Sequence, residues 1–95
     1  MSSKIATISV TSQPSQSQLD QLGVFDWAIW NKEASEFPWT YDESETCYFL
    51  AGEVLVTPDG GEPVTMGQGD LVTFPAGMSC TWKINQAVKK HYKFG

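Results

Sequence analysis

With 95 residues, 41% of them hydrophobic and 18% charged, the chain has the composition of one globular domain and lies far from the disordered range. A formal net charge of −5, with only six Lys and Arg residues, disfavours nucleic acid and anionic membrane surfaces as partners. No apolar run approaches the ~20 residues of a membrane-spanning helix. We therefore expect a single domain over residues 1–95.

The N-terminus carries no apolar segment or cleavage pattern of an export signal, so we expect a cytoplasmic protein. In that compartment the two cysteines, Cys47 and Cys80, stay reduced. Their spacing matches neither a Cys-x-x-Cys motif nor a zinc site.

Residues 1–23 predict an N-terminal strand followed by a loop. Apolar and polar residues alternate over 5–10, which is typical of a strand. Within 16–22, Leu19 and Leu22 are three residues apart and favour one short helical turn, which Gly23 would end.

Residues 24–95 predict the main body of the fold. Short β-prone segments alternate there with Gly- and Pro-containing turns, among them Ala51-Gly52 and Pro58-Asp59-Gly60-Gly61. The predicted strands cover 24–32, 37–41, 45–50, 53–57, 63–66, 71–74, 80–84 and 88–94. Eight or nine short strands at this spacing indicate an all-β barrel or sandwich.

The C-terminal strand carries a small cluster of charged residues, Lys89, Lys90 and Lys93, together with the single histidine, His91. We interpret the lysines as the solvated edge of a terminal strand rather than as a basic patch. His91 is expected to be exposed or at an interface.

The most regular turn–strand–turn unit is Gly69 to Cys80. Asp70 follows Gly69 and opens the β-prone run Leu71 to Phe74, and Pro75 ends that run because it has no N–H for the ladder. Gly77 supplies the next turn, and Cys80 lies just inside the following strand.

Two spacings in this chain resemble the two sequence motifs of the cupin superfamily. Glu45, six residues and Gly52 resemble the end of the first motif, and Gly69, five residues and Pro75-x-Gly77 resemble the second. The resemblance covers about residues 24–95 and implies an all-β cupin fold, a jelly-roll double-stranded β-helix. Four strings look more specifically like the small single-domain cupins related to the cupin domain of (S)-ureidoglycine aminohydrolase: 37–41, 45–48, 69–77 and 90–94.

The resemblance also locates the positions that hold metal in other cupins. The two histidine places of the first motif fall on Trp39 and Tyr41, its glutamate place on Glu45, and the histidine place of the second motif on Cys80. Zinc and iron sites need three or four good protein ligands, and Glu45 with Cys80 supplies two. We expect no tightly held metal and no other cofactor; the alternative is a labile metal at Glu45 and Cys80.

The same resemblance implies that the side chains at 39, 41, 45 and 80 point into the barrel. Strand alternation adds further residues to these faces, and an aromatic wall completes the site. The predicted ligand-binding residues are Trp30, Trp39, Tyr41, Cys47, Phe49 and Trp82. A mostly apolar cavity with a few polar groups is typical of a site for a small organic molecule, here partly aromatic or ureide-like.

Three functional interpretations stay open. The first is binding without turnover. In the second, an isomerase, lyase or hydrolase of aminohydrolase type uses Glu45 as acid or base, Tyr41 as proton donor or anchor, and Cys80 as a further candidate catalytic group. The third is a stability or interaction module whose barrel is filled. For single residues a structural role stays open as well: Glu45 bonded to Tyr41 or to a lysine, and Cys80 as a small buried hydrophobe. The aromatic segment 24–32 would suit a homodimer interface.

Overall fold

The computed structural model describes residues 8–95, which form seven antiparallel strands and two short helices. The elements are β1 Ser9–Ser12, α1 Gln16–Leu22, a 3-10 helix Val24–Asp26, β2 Ala28–Lys32, β3 Ser35–Thr40, β4 Glu45–Pro58, β5 Val64–Gly67, β6 Asp70–Phe74 and β7 Ser79–Phe94. The all-β prediction is confirmed. Half of the strand predicted over 5–10, residues 5–7, lies outside the described residues; within them, β1 begins at Ser9.

Two long strands, β4 and β7, form the central ladder of the sheet. They pair from Glu45 opposite Phe94 to Pro58 opposite Cys80, with register shifts in the middle. The predicted turn at Ala51-Gly52 and the predicted break between 84 and 88 are therefore wrong. Bulges absorb the irregularity without ending either strand.

Gly52 is what permits this bulge. Its φ is +104°, in the region that favours glycine, and a Cβ there would overlap the carbonyl oxygen of Ala87 on the neighbouring strand. The sequence signal for a turn was thus a signal for close approach of two backbones.

The two halves of the ladder have different neighbours. The half that begins at Glu45 is flanked by β6 and β1 on one side and β2 on the other, whereas the second half is flanked by β5 and β3. Inward side chains of both halves belong to one core cluster, so the ladder bends around a shared core. Its buried members are Tyr41, Cys47, Phe49, Val54, Val56, Met66, Val72, Phe74, Cys80, Trp82, Ile84 and Val88.

The N-terminal helix covers part of the outer sheet face. Ser15 caps α1 by accepting a hydrogen bond from the Gln18 N–H, and Gly23 ends it in the left-handed conformation, as predicted. Leu19 of α1 packs with Val24 and Leu71 in a second, smaller cluster. Among residues 8–95, no helix has the length and apolarity needed to cross a membrane.

The strand predicted over 24–32 begins four residues later, at Ala28. The N–H groups of Asp26 and Trp27 donate to the carbonyls of Gly23 and Val24, and this local bonding makes a 3-10 turn of residues that would otherwise extend the strand.

Candidate functional site

A cavity of about 230 Å³ lies between β2, β3 and the adjoining ends of β4 and β7. Its lining residues are Trp30, Phe37, Trp39, Tyr41, Glu45, Trp82, Lys90, Tyr92 and Phe94. Trp39 and Phe94 are about half exposed and form its mouth. Apolar cavities of about 150 Å³ hold benzene, so this one has room for a single ring with a small substituent. The binding and enzyme interpretations both require such a cavity.

A buried ion pair forms the polar part of the cavity. The Lys90 Nζ lies 2.8 Å from the Glu45 Oε2, and both residues are 4% exposed. The Cys47 thiol donates a hydrogen bond to the same carboxylate oxygen, and Lys90 donates a second bond to the Cys47 Sγ at 3.1 Å. Within residues 8–95, no hydrogen bond is found to the other carboxylate oxygen, Oε1 of Glu45. The pair thus keeps one acceptor atom available at the cavity.

Aromatic rings surround the Lys90 ammonium. Its Nζ lies 4.7 Å from the ring centroid of Trp82 and 4.9 Å from that of Trp30, with Phe74 and Phe49 near 6 Å. Cation–π attraction of this kind contributes about 0.5–2 kcal/mol per contact and offsets part of the cost of removing the ammonium from water. The rings and the carboxylate together hold one cation in an apolar wall.

The sequence interpretation of the C-terminal lysines is wrong for Lys90. The strand that carries it, β7, is not at a sheet edge but lies between β4 and β2, and the Lys90 side chain is buried in the cavity wall on the inner face. Lys89 and Lys93 are exposed, as predicted. The missed signal was the period-2 pattern: counting from Trp82, every second residue along one unbroken strand reaches Lys90.

We expected His91 to be exposed or at an interface. The expectation of exposure is wrong, because the residue is buried and only 6% exposed. It points to the opposite face of β7 from Lys90, where its Nδ1 lies 3.0 Å from the carbonyl oxygen of Trp27 and Phe25 packs edge-on against its ring. The 3-10 helix and the residue after it therefore cover the histidine.

Tyr41 lies in the cavity wall, 2% exposed, with its ring stacked 4.7 Å from that of Phe74. The indole Nε1–H of Trp82 donates to its hydroxyl at 3.1 Å. Burial, followed by the nearby charge of Glu45, raises the pKa of Tyr41 far above its ordinary value. The phenol is therefore held neutral and is suited to hydrogen bonding rather than to releasing a proton.

Three predicted site residues do not line the cavity. Cys47 and Phe49 are completely buried, with Cys47 behind the ion pair, and burial raises the pKa of the Cys47 thiol well above its ordinary range. Cys80 lies opposite Pro58, at the other end of the ladder from Glu45. Burial and then the charge of Asp59 raise the pKa of Cys80 to about 11. A thiol kept neutral in this way is a poor nucleophile.

The metal positions of other cupins do not fit a metal here. Within residues 8–95, no three His, Cys, Asp or Glu side chains converge closely enough to hold an ion. The Glu45 carboxylate already pairs with a cation, the Lys90 ammonium, and Cys80 is not among the residues that line the cavity.

Comparisons with known proteins agree on the fold. A DUF861 family protein from Thermotoga maritima is 45% identical, with a TM-score of 0.91 over 94% of this chain and 100% of that one. The EutQ protein of Clostridium difficile is 21% identical, with a TM-score of 0.63 over 70% of this chain and 52% of its own. A cupin superfamily protein from Desulfitobacterium hafniense is 11% identical, with a TM-score of 0.58 over 97% of this chain and 80% of its own.

A search of curated proteins found no match. The family model for the EutQ-like cupin domain matches residues 19–92, which is most of the chain and includes every residue of the cavity except Phe94. This match confirms the cupin prediction made from the spacing around Glu45 and Gly69, and it assigns no reaction. The chain belongs to the EutQ-like cupin domain family.

Proposed function

We propose that the protein binds a small, planar, uncharged organic molecule of amide or ureide type in the aromatic cavity, without a tightly held metal. The observation that carries this proposal is the buried Lys90–Glu45 ion pair in the wall of a cavity otherwise lined by aromatic rings. A few polar groups in an apolar cavity fix a ligand's orientation, and the rings supply most of its contact area.

The ion pair favours a ligand with a carbonyl next to an N–H. The Lys90 ammonium has three N–H donors, two of which are directed at Glu45 and Cys47, and the Glu45 Oε1 is an acceptor beside it. An amide or urea offers the complementary acceptor and donor side by side. Because the pair has no net charge, a charged ligand would leave one buried charge uncompensated.

The aromatic walls favour a flat body. Phe37 stacks on Trp82 and Trp30 packs edge-on against it, which leaves parallel and perpendicular ring faces around the space. The sequence resemblance to small cupins related to (S)-ureidoglycine aminohydrolase agrees with a ureide, since that name denotes a ureide substrate. A cavity of about 230 Å³ limits the ligand to roughly one ring.

Thermal unfolding with a matched series of probes tests the proposal. Phenylurea and benzamide should raise the melting temperature, benzoate should raise it less because of its charge, and toluene should raise it less because it lacks polar groups. Glu45→Gln should weaken the response to phenylurea, whereas Glu36→Gln, at an exposed position on β3, should not. A stoichiometric transition metal after purification without chelator, or equal responses to all four probes, would overturn the proposal.

An enzyme is the second candidate, because a proton donor and a proton acceptor lie 2.8 Å apart in a cavity that admits a substrate. In that case Glu45 accepts or donates the proton, and Tyr41, kept neutral, anchors the substrate through its hydroxyl. Glu45→Gln should then abolish turnover of a bound ureide while part of the thermal stabilisation remains. Retained turnover in this variant would exclude Glu45 as the proton acceptor or donor of the reaction.

We further propose a cytoplasmic homodimer, in which β2 of one copy pairs with β2 of a second. Among residues 8–95, this strand pairs only with β7, which leaves its other edge without a described partner, and Phe25 just before it and Ile29 within it are each 47% exposed. Light scattering should give a dimer mass for the wild type and a monomer mass for Ile29→Asp. A wild-type monomer mass would exclude the dimer.

A further inference from the structure

We propose that Lys90 forms a covalent imine with aldehydes or ketones that enter the aromatic cavity. This inference rests on the proposed function, because it uses the same cavity and adds a class of substrate, reactive carbonyl compounds. It differs from reversible amide binding because a carbon–nitrogen bond forms.

The position of the amine carries the first part of the argument. Among the lysines in residues 8–95, Lys90 is the one that the structure buries: it is 4% exposed and lines the cavity. A carbonyl group that enters with its ring against Trp82 and Trp30 comes within reach of the Nζ, which lies 4.7 and 4.9 Å from those ring centroids. Lysines that form imines are typically held in apolar pockets of this kind.

Glu45 supplies the proton transfers. The Nζ ammonium first gives a proton to Oε2, 2.8 Å away, and becomes a neutral amine. The amine lone pair then attacks the carbonyl carbon, and the carbonyl π bond breaks as the carbon–nitrogen bond forms. A proton passes from the nitrogen to the oxygen and gives a neutral carbinolamine. The protonated Glu45 returns its proton to the carbinolamine hydroxyl, which leaves as water while the nitrogen lone pair forms the C=N bond of a protonated imine. No oxidant or reductant is needed.

The product fits the site as well as the reactant does. A protonated imine carries its positive charge at the same nitrogen, so it keeps the ion pair with Glu45 and the cation–π contacts with Trp30 and Trp82. The surroundings of Lys90 thus complement a cation whether it is an ammonium or an iminium.

Reductive trapping tests the inference. The native protein is treated with benzaldehyde and cyanoborohydride, and the modified lysines are located by peptide mass spectrometry. Lys90 should gain a benzyl group about tenfold faster than any exposed lysine, because the cavity orients the aldehyde beside it. After denaturation in urea, all six lysines should react alike.

Matched variants complete the test. Lys90→Arg keeps the charge but cannot form the imine, so it should remove the fast modification, whereas Lys93→Arg, on the exposed face of the same strand, should leave it unchanged. Glu45→Gln should slow trapping at Lys90. If the exposed lysines react and Lys90 does not, the imine is excluded. If phenylurea still stabilises the protein in that case, the proposed binding function stands without the imine. If neither phenylurea stabilisation nor modification of Lys90 is seen, both the binding function and the imine are excluded.

Discussion

Replacing Lys90 by methionine tests whether the buried ion pair exists in solution. Methionine keeps most of the apolar stem but removes the ammonium, so the Glu45 carboxylate, 4% exposed, is left without its partner. Breaking a buried pair from one side costs about 3–5 kcal/mol, and the lost cation–π contacts with Trp30 and Trp82 act in the same direction. We expect the free energy of unfolding to fall by about 3 kcal/mol or more, a large part of the ~5–15 kcal/mol of an ordinary domain.

Urea unfolding followed by tryptophan fluorescence measures this effect. With an m-value of about 1 kcal/mol per M, the midpoint should shift by about 3 M. Lys93→Met is the matched control on the exposed side of β7 and should change stability by no more than about 0.5 kcal/mol. The double variant Lys90→Met with Glu45→Gln should recover part of the loss, because no buried charge is left unpaired.

If Lys90→Met behaves like Lys93→Met, or if Glu45→Gln restores nothing in the double variant, the two charges are solvated and the site described above is incorrect.

Three further predictions concern residues around the site. The neutral Cys80 thiol favours the folded state, and this stabilisation is complete at pH values below the ordinary pKa of 9.0. It is lost as the pH rises through about 11. Unfolding curves of wild type and Cys80→Ser should therefore diverge between these two pH values. Gly52→Ala should lower the free energy of unfolding in urea by more than about 2 kcal/mol, because Gly52 lies in the bulge and has a strained φ. Gly60→Ala, in open space at φ +74°, should lower it by about 1 kcal/mol. Equal losses in the two variants would contradict the close approach of the backbones at Gly52. Trp82→Phe removes the hydrogen bond to the Tyr41 hydroxyl and should lower the free energy of unfolding by about 1–3 kcal/mol. An unchanged melting curve would show that this hydrogen bond is not formed.

The sequence predicted the fold better than the chemistry of the site. Turn residues with positive φ or no N–H, such as Gly69, Gly77 and Pro75, mark strand ends by local sterics, so they can be interpreted without the fold. Glu45, Tyr41 and Trp39 could be assigned to the cavity because they fall on positions of the cupin motif. Trp82 could be assigned because strand alternation places it on the face of Cys80.

Lys90 could not be assigned in the same way. Its burial depends on β7 continuing unbroken past the bulge and on β2 pairing along the free edge of β7. Both are properties of long-range strand pairing. A lysine near a chain end is usually solvated, and the period-2 pattern from Trp82 to Lys90 indicates burial only when β7 is known to be continuous. The motif also placed Cys80 on the inner face, where it is buried, but Cys80 does not line the cavity.

The bent β4–β7 ladder has a consequence for the order in which the protein assembles. Pairing at the Pro58–Cys80 end closes the shortest stretch of intervening chain, whereas pairing of Glu45 with Phe94 closes the longest. Because loop-closure entropy favours the shorter closure first, we expect pairing to proceed from Cys80 toward the C-terminus and to pass the bulge at Gly52 on the way. Lys90 therefore meets Glu45 only near the end of folding. A ligand that contacts both residues would not bind a chain in which β4 and β7 are only partly paired. Its binding would therefore report that pairing of the two strands is complete.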